Sequence, residues 1–271
     1  MASTPQDGRR GSGRTSRQHE LTQYIVEHDS VSAADLAERF GVSLMTVHRD
    51  LAELEAQGVV RKYRGGVSAQ PTSVFESNVA FRLRSSVREK HALARRALEL
   101  VDAGMSVLLD DSTSALRVAE GLVHRSSLTV GTNFRPAIDL LSKAKDMRLF
   151  ALGGEYSATH DSFLGVSCIE AVRSLHFDLL LCSTSAVTDG YAYHQEQEVV
   201  LLKRAMMESA TRRVLLLDHT KLERTALHRV APLSEFQLVL VDDGAPRELV
   251  DRLMSDSGTH VEVVPVAGAA E

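Results

Sequence analysis

Cysteine is scarce in this 271-residue chain: Cys168 and Cys182 stand far apart, each inside an apolar stretch. Their spacing fits neither a metal-ligand motif nor a disulfide framework, so it predicts two buried free thiols in a reducing cytoplasm. Long apolar runs are also missing, which excludes a membrane-spanning helix, and the Arg-rich start lacks the apolar segment of a signal peptide. No nucleophile–base pair and no cluster of metal ligands stands out, so no catalytic residue, metal or cofactor is assigned. Excess positive charge is absent as well. Residues 1–70 carry equal numbers of acidic and basic side chains, so the whole net charge of −5 lies beyond them. That balance argues against a protein that coats nucleic acid, and makes any DNA affinity depend on where the N-terminal cations sit. What is present is a 44% hydrophobic content, enough for one large core and a small module.

The informative segment runs from Val31 to Gly66. A first helix is expected after Ser32, whose hydroxyl can cap free backbone N–H groups, with Asp35 favouring the positive helix end. Leu36, Ala37 and Phe40 share one face of it. Gly41 falls where a chain leaving a helix turns left-handed. Ser43 can cap a second helix from about residue 44 to 57, with Gly58 as its stop and Val47, Leu51 and Leu54 facing inward. The polar outer end then consists of Ser43, Met45, Thr46, His48 and Arg49. In a helix-turn-helix this end meets base edges and phosphates. Thr46 can bind a phosphate or touch a thymine methyl, Arg49 can fork onto guanine or phosphate, and His48 either reads a base or lies on the rim. Residues 59–67 alternate apolar and basic side chains before Gly65-Gly66, which predicts a small β-wing with Arg61, Lys62 and Arg64 along phosphates. Each piece alone could be packing or a solvated face; the order of all of them points to DNA binding. Ahead lie Arg9, Arg10, Arg14 and Arg17 among Gly, Ser and Thr, a stretch expected to be a disordered basic tail (bounded at residues 1–16), either a solubilising leader or a transient DNA arm.

Residues 71–84 read as a linker. Beyond them, apolar strand-like runs at 106–109, 128–130, 148–152, 178–182, 214–217, 238–241 and 261–264 are interspersed with helical patterns at 88–101, 115–123, 135–142, 168–175, 199–210 and 246–255. Continuous apolar strands of this kind imply a largely parallel sheet covered on both faces, with ligands bound outside the carboxyl ends of its strands. Polar residues cluster there: Asp110, Ser112, Thr113 and Ser114 after the first strand, Thr132 and Asn133 after the second, Gly153 and Gly154 after the third, Ser183-Thr184-Ser185 after the fourth, Asp218 and Lys221 after the fifth. The hydroxyls and N–H groups at 110–114 can cradle an anion, and the glycines can let backbone approach a ligand. Polar turns at five successive strand ends predict a pocket for a small polar ligand, to which Lys203 and Glu198 can contribute from a helix start, although such residues more often form surface ion pairs.

These residues resemble the DeoR family of bacterial transcriptional regulators over about residues 17–266. The resemblance rests on Val42-Ser43, Thr46-Val47-His48-Arg49-Asp50-Leu51 and Gly65-Gly66 in the first part. It continues through Arg82, Lys90, Asp110, Thr113, Thr132-Asn133, Leu152-Gly153-Gly154, Gly165, Asp178, Lys203-Arg204, Asp218 and Lys221. It implies an α/β protein in which an N-terminal winged helix-turn-helix (residues 17–70) is joined to a larger Rossmann-like effector-sensing domain (85–266, followed by a tail at 267–271) similar to sugar-phosphate isomerases and CoA transferases. It further implies a repressor of a carbohydrate-catabolism operon, bound to double-stranded operator DNA, released by a small phosphorylated sugar, and working as a homo-oligomer. The chain departs from the family pattern at Val47 and His48, where Ile and Arg are usual. The family's Asp-Ser-Gly-Thr-Thr loop reads Asp110-Asp111-Ser112-Thr113-Ser114, which removes a glycine and adds a negative charge. Its glycine-rich turn has become Ser183-Thr184-Ser185-Ala186. Two other functions stay open at this level: an activator or effector-independent DNA-binding protein with a degenerate pocket, and a sugar-phosphate isomerase-like enzyme.

Overall fold

The computed structural model describes residues 17–18, 20–22, 24–25, 28, 31–56, 60–63, 66–69 and 79–266. The expected basic tail at 1–16, the tail at 267–271, the helix stop at Gly58 and the wing residue Arg64 lie outside them. The chain divides into two units, Met1–Arg84 and Ser85–Glu271.

In the first unit, α1 (Ala33–Arg39) starts at Ser32, whose hydroxyl oxygen accepts the Asp35 N–H at 3.1 Å. It ends at Gly41, held at φ +61°, while the Val42 N–H reaches the Ala37 carbonyl at 3.1 Å and the Gly41 N–H reaches that of Glu38 at 3.3 Å. This paired bonding satisfies the carbonyls a helix end leaves open, and the positive φ explains the glycine. Helix α2 (Leu44–Ala56) follows, with the Ser43 hydroxyl accepting the Thr46 N–H at 3.2 Å. Strands β1 (Val60–Tyr63) and β2 (Gly66–Ala69) pair antiparallel, Arg61 opposite Ser68 and Lys62 opposite Val67. Val31 bridges to Val67 on the outer side of β2. Leu21, Ile25, Leu36, Val47, Leu51, Leu54, Val60 and Val67 make the core. The segment expected as linker contains a short helix, α3 (Val79–Arg82), because Phe81 packs on that core.

The second unit is built on a seven-stranded sheet, all parallel, comprising β3 (Ser106–Leu109), β4 (Leu128–Thr132), β5 (Met147–Ala151), β8 (Phe177–Cys182), β11 (Ala210–Leu217), β13 (Leu238–Asp242) and β14 (Val261–Val264). Their order across the sheet is β14-β13-β11-β8-β3-β4-β5. The chain therefore moves outward from β3 to β5, returns to the other side of β3, and moves outward again from β8 to β14. Right-handed crossovers in opposite directions place helices on opposite faces. Accordingly α4 (Val87–Leu98), α5 (Thr113–Leu122) and α6 (Arg135–Leu141) pack in succession, while α7 (Gly165–Arg173) packs on α8 (Gln197–Glu208), whose core extends to α9 (Arg247–Ser257). Leu108, Leu180, Leu215 and Val239, one on each central strand, are fully buried, as continuous apolar strands require.

Two small antiparallel additions have no counterpart in the sequence reading. One is the hairpin of β6 (Glu155–Ser157) and β7 (Ser162–Leu164); the other is the sheet β12-β10-β9, from His228–Pro232, Tyr191–His194 and Ala186–Thr188. Their strands are three to five residues long, too short for alternation to register as a pattern.

Candidate nucleic-acid interface and effector site

Helix α2 is buried on one side and open on the other. Val47, Leu51 and Leu54 are all under 5% exposed, while Ser43, His48 and Arg49 are exposed and Met45 is 72% exposed. Thr46 is half-buried, its hydroxyl 2.9 Å from that of Ser43. Thr46, His48 and Arg49 thus lie within the first two turns of one helix, with Ser43 capping it. Asp50 is the exception to the polar-out pattern: it is buried, and takes the Arg17 Nε–H at 2.7 Å. This pair was absent from the sequence reading, although a carboxylate one helical turn from Val47 and Leu54, on the apolar side, was its visible signal. On the wing, Arg61 is exposed, whereas Lys62 is bound to Glu55 on α2 at 3.1 Å. That contact, through the Lys62 amine and backbone N–H, lowers the Glu55 carboxyl below its usual range. Of the wing cations described, Arg61 is the one left outward and Lys62 is shared with an acid.

In the second unit the strand order reverses between β3 and β8, the position where such sheets open a crevice at their carboxyl ends. Asp110 leaves β3 and Ser183 leaves β8, and the Ser183 N–H donates to Asp110 Oδ2 at 2.9 Å. The other oxygen of Asp110 accepts the Ser112 N–H at 3.1 Å. Lys203 reaches in from α8, donating its ammonium to Asp110 and, at 3.0 Å, to the Ser183 carbonyl, with Asp111 at 3.8 Å. From the turn after β11, Lys221 donates to Ser183 Oγ at 2.8 Å and lies 3.5 Å from Asp218. Ser183 therefore joins the two lysine–aspartate pairs, a role its place in a hydroxyl-rich turn did not disclose. Asp111 also accepts the Ser162 hydroxyl at 3.0 Å.

Burial opposes every charge here, so each survives only by pairing. Burial alone would lower the Lys203 pKa, yet the charges of Asp110 and Asp111 hold it above the ordinary lysine value. Burial would raise Asp218, but Lys221 and Lys90, with a Thr220 hydrogen bond, bring it down to about 2. Desolvation raises both thiols, Cys168 to about 12, with the charges of Asp111 and Asp110 adding to it at Cys168 and Cys182 respectively. Both remain protonated at neutral pH and neither is a thiolate nucleophile.

The remaining strand-end residues are placed unevenly. Ser112 caps α5, accepting the Ala115 N–H at 3.1 Å, so its hydroxyl oxygen is engaged. Thr113 is buried in the first turn of that helix. Thr132 Oγ1 accepts the Phe134 N–H at 3.1 Å, and Asn133 Nδ2 donates to the Phe163 carbonyl at 2.9 Å. Ser114 Oγ, in the first turn of α5 beyond β3, and Asn133 Oδ1, just past the adjacent strand β4, are buried without a hydrogen-bond partner. Gly153 has open space where a Cβ would stand. Gly154 does not: a Cβ would sit 2.3 Å from the Leu164 carbonyl oxygen and 2.9 Å from Cys168 Cβ. Its missing side chain admits backbone of the same chain. Glu198 is exposed, five residues before the buried Lys203 and on a different face of α8. Arg204 points elsewhere, donating to the carbonyls of Val230 and Arg229 at 2.9 and 2.8 Å.

A polar-tipped helix with a two-stranded wing, followed by a parallel α/β unit with polar side chains at its switch point, defines a class: a winged-helix DNA reader carrying a sensor-type domain. The DeoR-like helix-turn-helix domain matches residues 17–72, and the DeoR C terminal sensor domain matches residues 85–243. The chain belongs to the DeoR family of transcriptional regulators. A lactose phosphotransferase system repressor of Staphylococcus epidermidis is 30% identical over 232 residues, covering 84% of this chain and 91% of its own. The glycerol-3-phosphate regulon repressor of Escherichia coli is 26% identical over 251 residues, covering 92% and 99%. Among solved structures, a ribose 5-phosphate isomerase A from Methanocaldococcus jannaschii shares 16% identity and a TM-score of 0.36 over 49% of this chain and 53% of its own, too slight a likeness to build on. No helix among the described residues is long and apolar enough to cross a membrane, and none of their His, Cys, Asp and Glu groupings is arranged to hold a metal ion.

Proposed function

We propose that this chain is a cytoplasmic, homo-oligomeric repressor of a carbohydrate-catabolism operon, released from its operator by a small phosphorylated sugar. The observation that carries the reading is the exposed Ser43–Arg49 end of α2, whose opposite face is fully buried. Ser43, Thr46, His48 and Arg49 meet the major groove in this reading, with Arg61, Lys62 and Arg64 along the flanking phosphates. Support for the sugar link comes from relatives whose names refer to lactose uptake and glycerol-3-phosphate. The effector is read as seated over the ends of β3, β4 and β8, where Ser114 Oγ and Asn133 Oδ1 lack partners and the Lys203 and Lys221 ammoniums border the crevice. Release requires the effector to bind the DNA-free state more tightly by a few kcal/mol. The test is a gel shift on DNA upstream of the gene's own operon, repeated with a panel of sugar phosphates. A sequence-preferring complex that one of them dissolves supports the reading, and no such complex at moderate salt overturns it.

One observation favours a second reading, an effector-independent or activating DNA-binding protein with a degenerate pocket. Asp111 holds Ser162 and neighbours Lys203, so an added negative charge occupies the loop that would receive a phosphate. Thermal-shift screening separates the two, because a ligand that binds the folded state must raise its stability by mass action. Stabilisation by a sugar phosphate favours release by effector; a flat response across the panel favours the second reading. The α/β unit is read as a sensor rather than an isomerase-like enzyme. Turnover of a sugar phosphate by the full chain would reverse that.

A further inference from the structure

A cavity of about 330 Å³ opens in the second unit between the end of α8, the start of β11 and the β10–β12 pair. It is distinct from the crevice described above. Arg213, on its wall, lies in the early half of β11, and Asp218 follows the far end of that strand, five residues or about 16 Å along extended chain. The volume is at the lower end of those that hold small-molecule ligands.

Three guanidinium groups line it: Arg204, Arg213 and Arg229. Among the described residues none of them forms an ion pair. Arg204 is fixed by two backbone carbonyls. Arg229 is fixed by the Tyr193 hydroxyl at 3.1 Å and lies over the Tyr191 ring, 4.4 Å from its centroid. Arg213 Nε is buried and has no hydrogen-bond partner. A buried guanidinium N–H without an acceptor is costly; the terminal nitrogens of Arg213, which are not among such buried, partnerless atoms, are the donors an incoming anion can reach. The wall also carries two carboxylates, Glu208, which is shared with Arg173 at 3.5 Å, and Glu235, while Asp189 acts on Arg229 from nearby; the three cations still outnumber the two acids on the wall. The rest of the wall is aromatic or apolar, including Tyr191, Met207 and Pro232.

We propose that this cavity is a second ligand site, for a small organic anion whose carboxylate or phosphate meets Arg213 and Arg229 while a compact apolar or planar body lies against Tyr191 and Met207. The arginine pair supplies forked donors suited to such anions, and one of the two, Arg229, is already held by Tyr193 and Tyr191, which lowers the ordering needed on binding. The inference does not depend on the operator or sugar-phosphate reading, since no residue is shared between the two sites.

The full-length chain, labelled at its methionine methyl groups, allows a local test. Phenyl phosphate is titrated and the Met207 resonance followed, with benzyl alcohol as the uncharged counterpart. The expected result is a saturable Met207 shift with phenyl phosphate and none with benzyl alcohol. The shift should be lost in Arg213→Gln and in Arg229→Gln, and kept in Ser114→Ala, which alters only the crevice at the strand ends. The proposal is overturned if Met207 does not move, if the alcohol moves it equally, or if the shift survives both arginine substitutions or vanishes in Ser114→Ala. Should the arginine variants fail to fold, the two probes on the unaltered chain decide. Malonate in place of phenyl phosphate then tells a carboxylate-accepting site from a phosphate-selective one.

Discussion

Arg49 and Arg61 are both exposed cations, yet the roles proposed for them differ in kind. Arg49 sits where a helix presents side chains to base edges, so Arg49→Ala should erase about 1–3 kcal/mol of discrimination between operator and unrelated DNA. Arg61, on the wing, should matter equally for every sequence, and Arg61→Ala should lower the salt slope of binding by about one. Fluorescence anisotropy on two duplexes at several salt concentrations measures both; identical losses from the two substitutions would contradict the assignment. Asp218 offers a test in the other unit. Its pKa is held at about 2 against an ordinary 3.8, so the unfolded chain binds the proton more readily in that window. Stability on the order of 2 kcal/mol is therefore present above the ordinary value and lost as the pH falls towards about 2. The unfolding free energies of the unaltered chain and Asp218→Asn, compared from neutral pH downward, should converge in acid; a constant gap would exclude the linkage.

At the scale of elements, α2 and β1 are joined by a contact that limits their own charge. Glu55 holds Lys62 at 3.1 Å. Glu55→Gln should free that cation and remove an acid beside the DNA, tightening binding to all duplexes and steepening the salt slope. Weaker or unchanged binding would show that Lys62 does not face phosphate. Gly154 joins the end of β5 to the start of α7 through an approach no larger residue permits. Gly154→Ala should cost about 1–3 kcal/mol, read as a lower urea midpoint, because the obstructing atoms are the Leu164 carbonyl and Cys168 rather than a movable side-chain tip. A midpoint equal to that of the unaltered chain would mean the backbone yields freely. The central strands and the Ser32, Gly41 and Ser43 helix boundaries were legible in the sequence because each is set by local chemistry or by an unbroken apolar run. The β6–β7 hairpin and the β12-β10-β9 sheet were not, since their strands are only three to five residues long and β12 reaches β10 from a distant part of the chain, His228 pairing with His194. The strand-end residues were legible as polar turns, but not their bonding. Nothing local reveals that Ser112 spends its hydroxyl on a cap, that Ser183 bridges two lysines, or that Gly154 serves packing.

For the whole molecule, charge is handled in two opposite ways. In the α/β unit, Lys203 with Asp110, and Lys221 with Asp218, lie beneath the surface at 8% side-chain exposure or less. In the winged-helix unit, Arg49 and Arg61 stand in water. Mobile ions reach the second group and barely the first, since screening acts through solvent. Brine should accordingly unlatch the chain from heparin or any other polyanion while its melting temperature holds nearly still. Its grip on nucleic acid and its endurance as a fold can then be adjusted independently, by ionic strength for the one and acidity for the other.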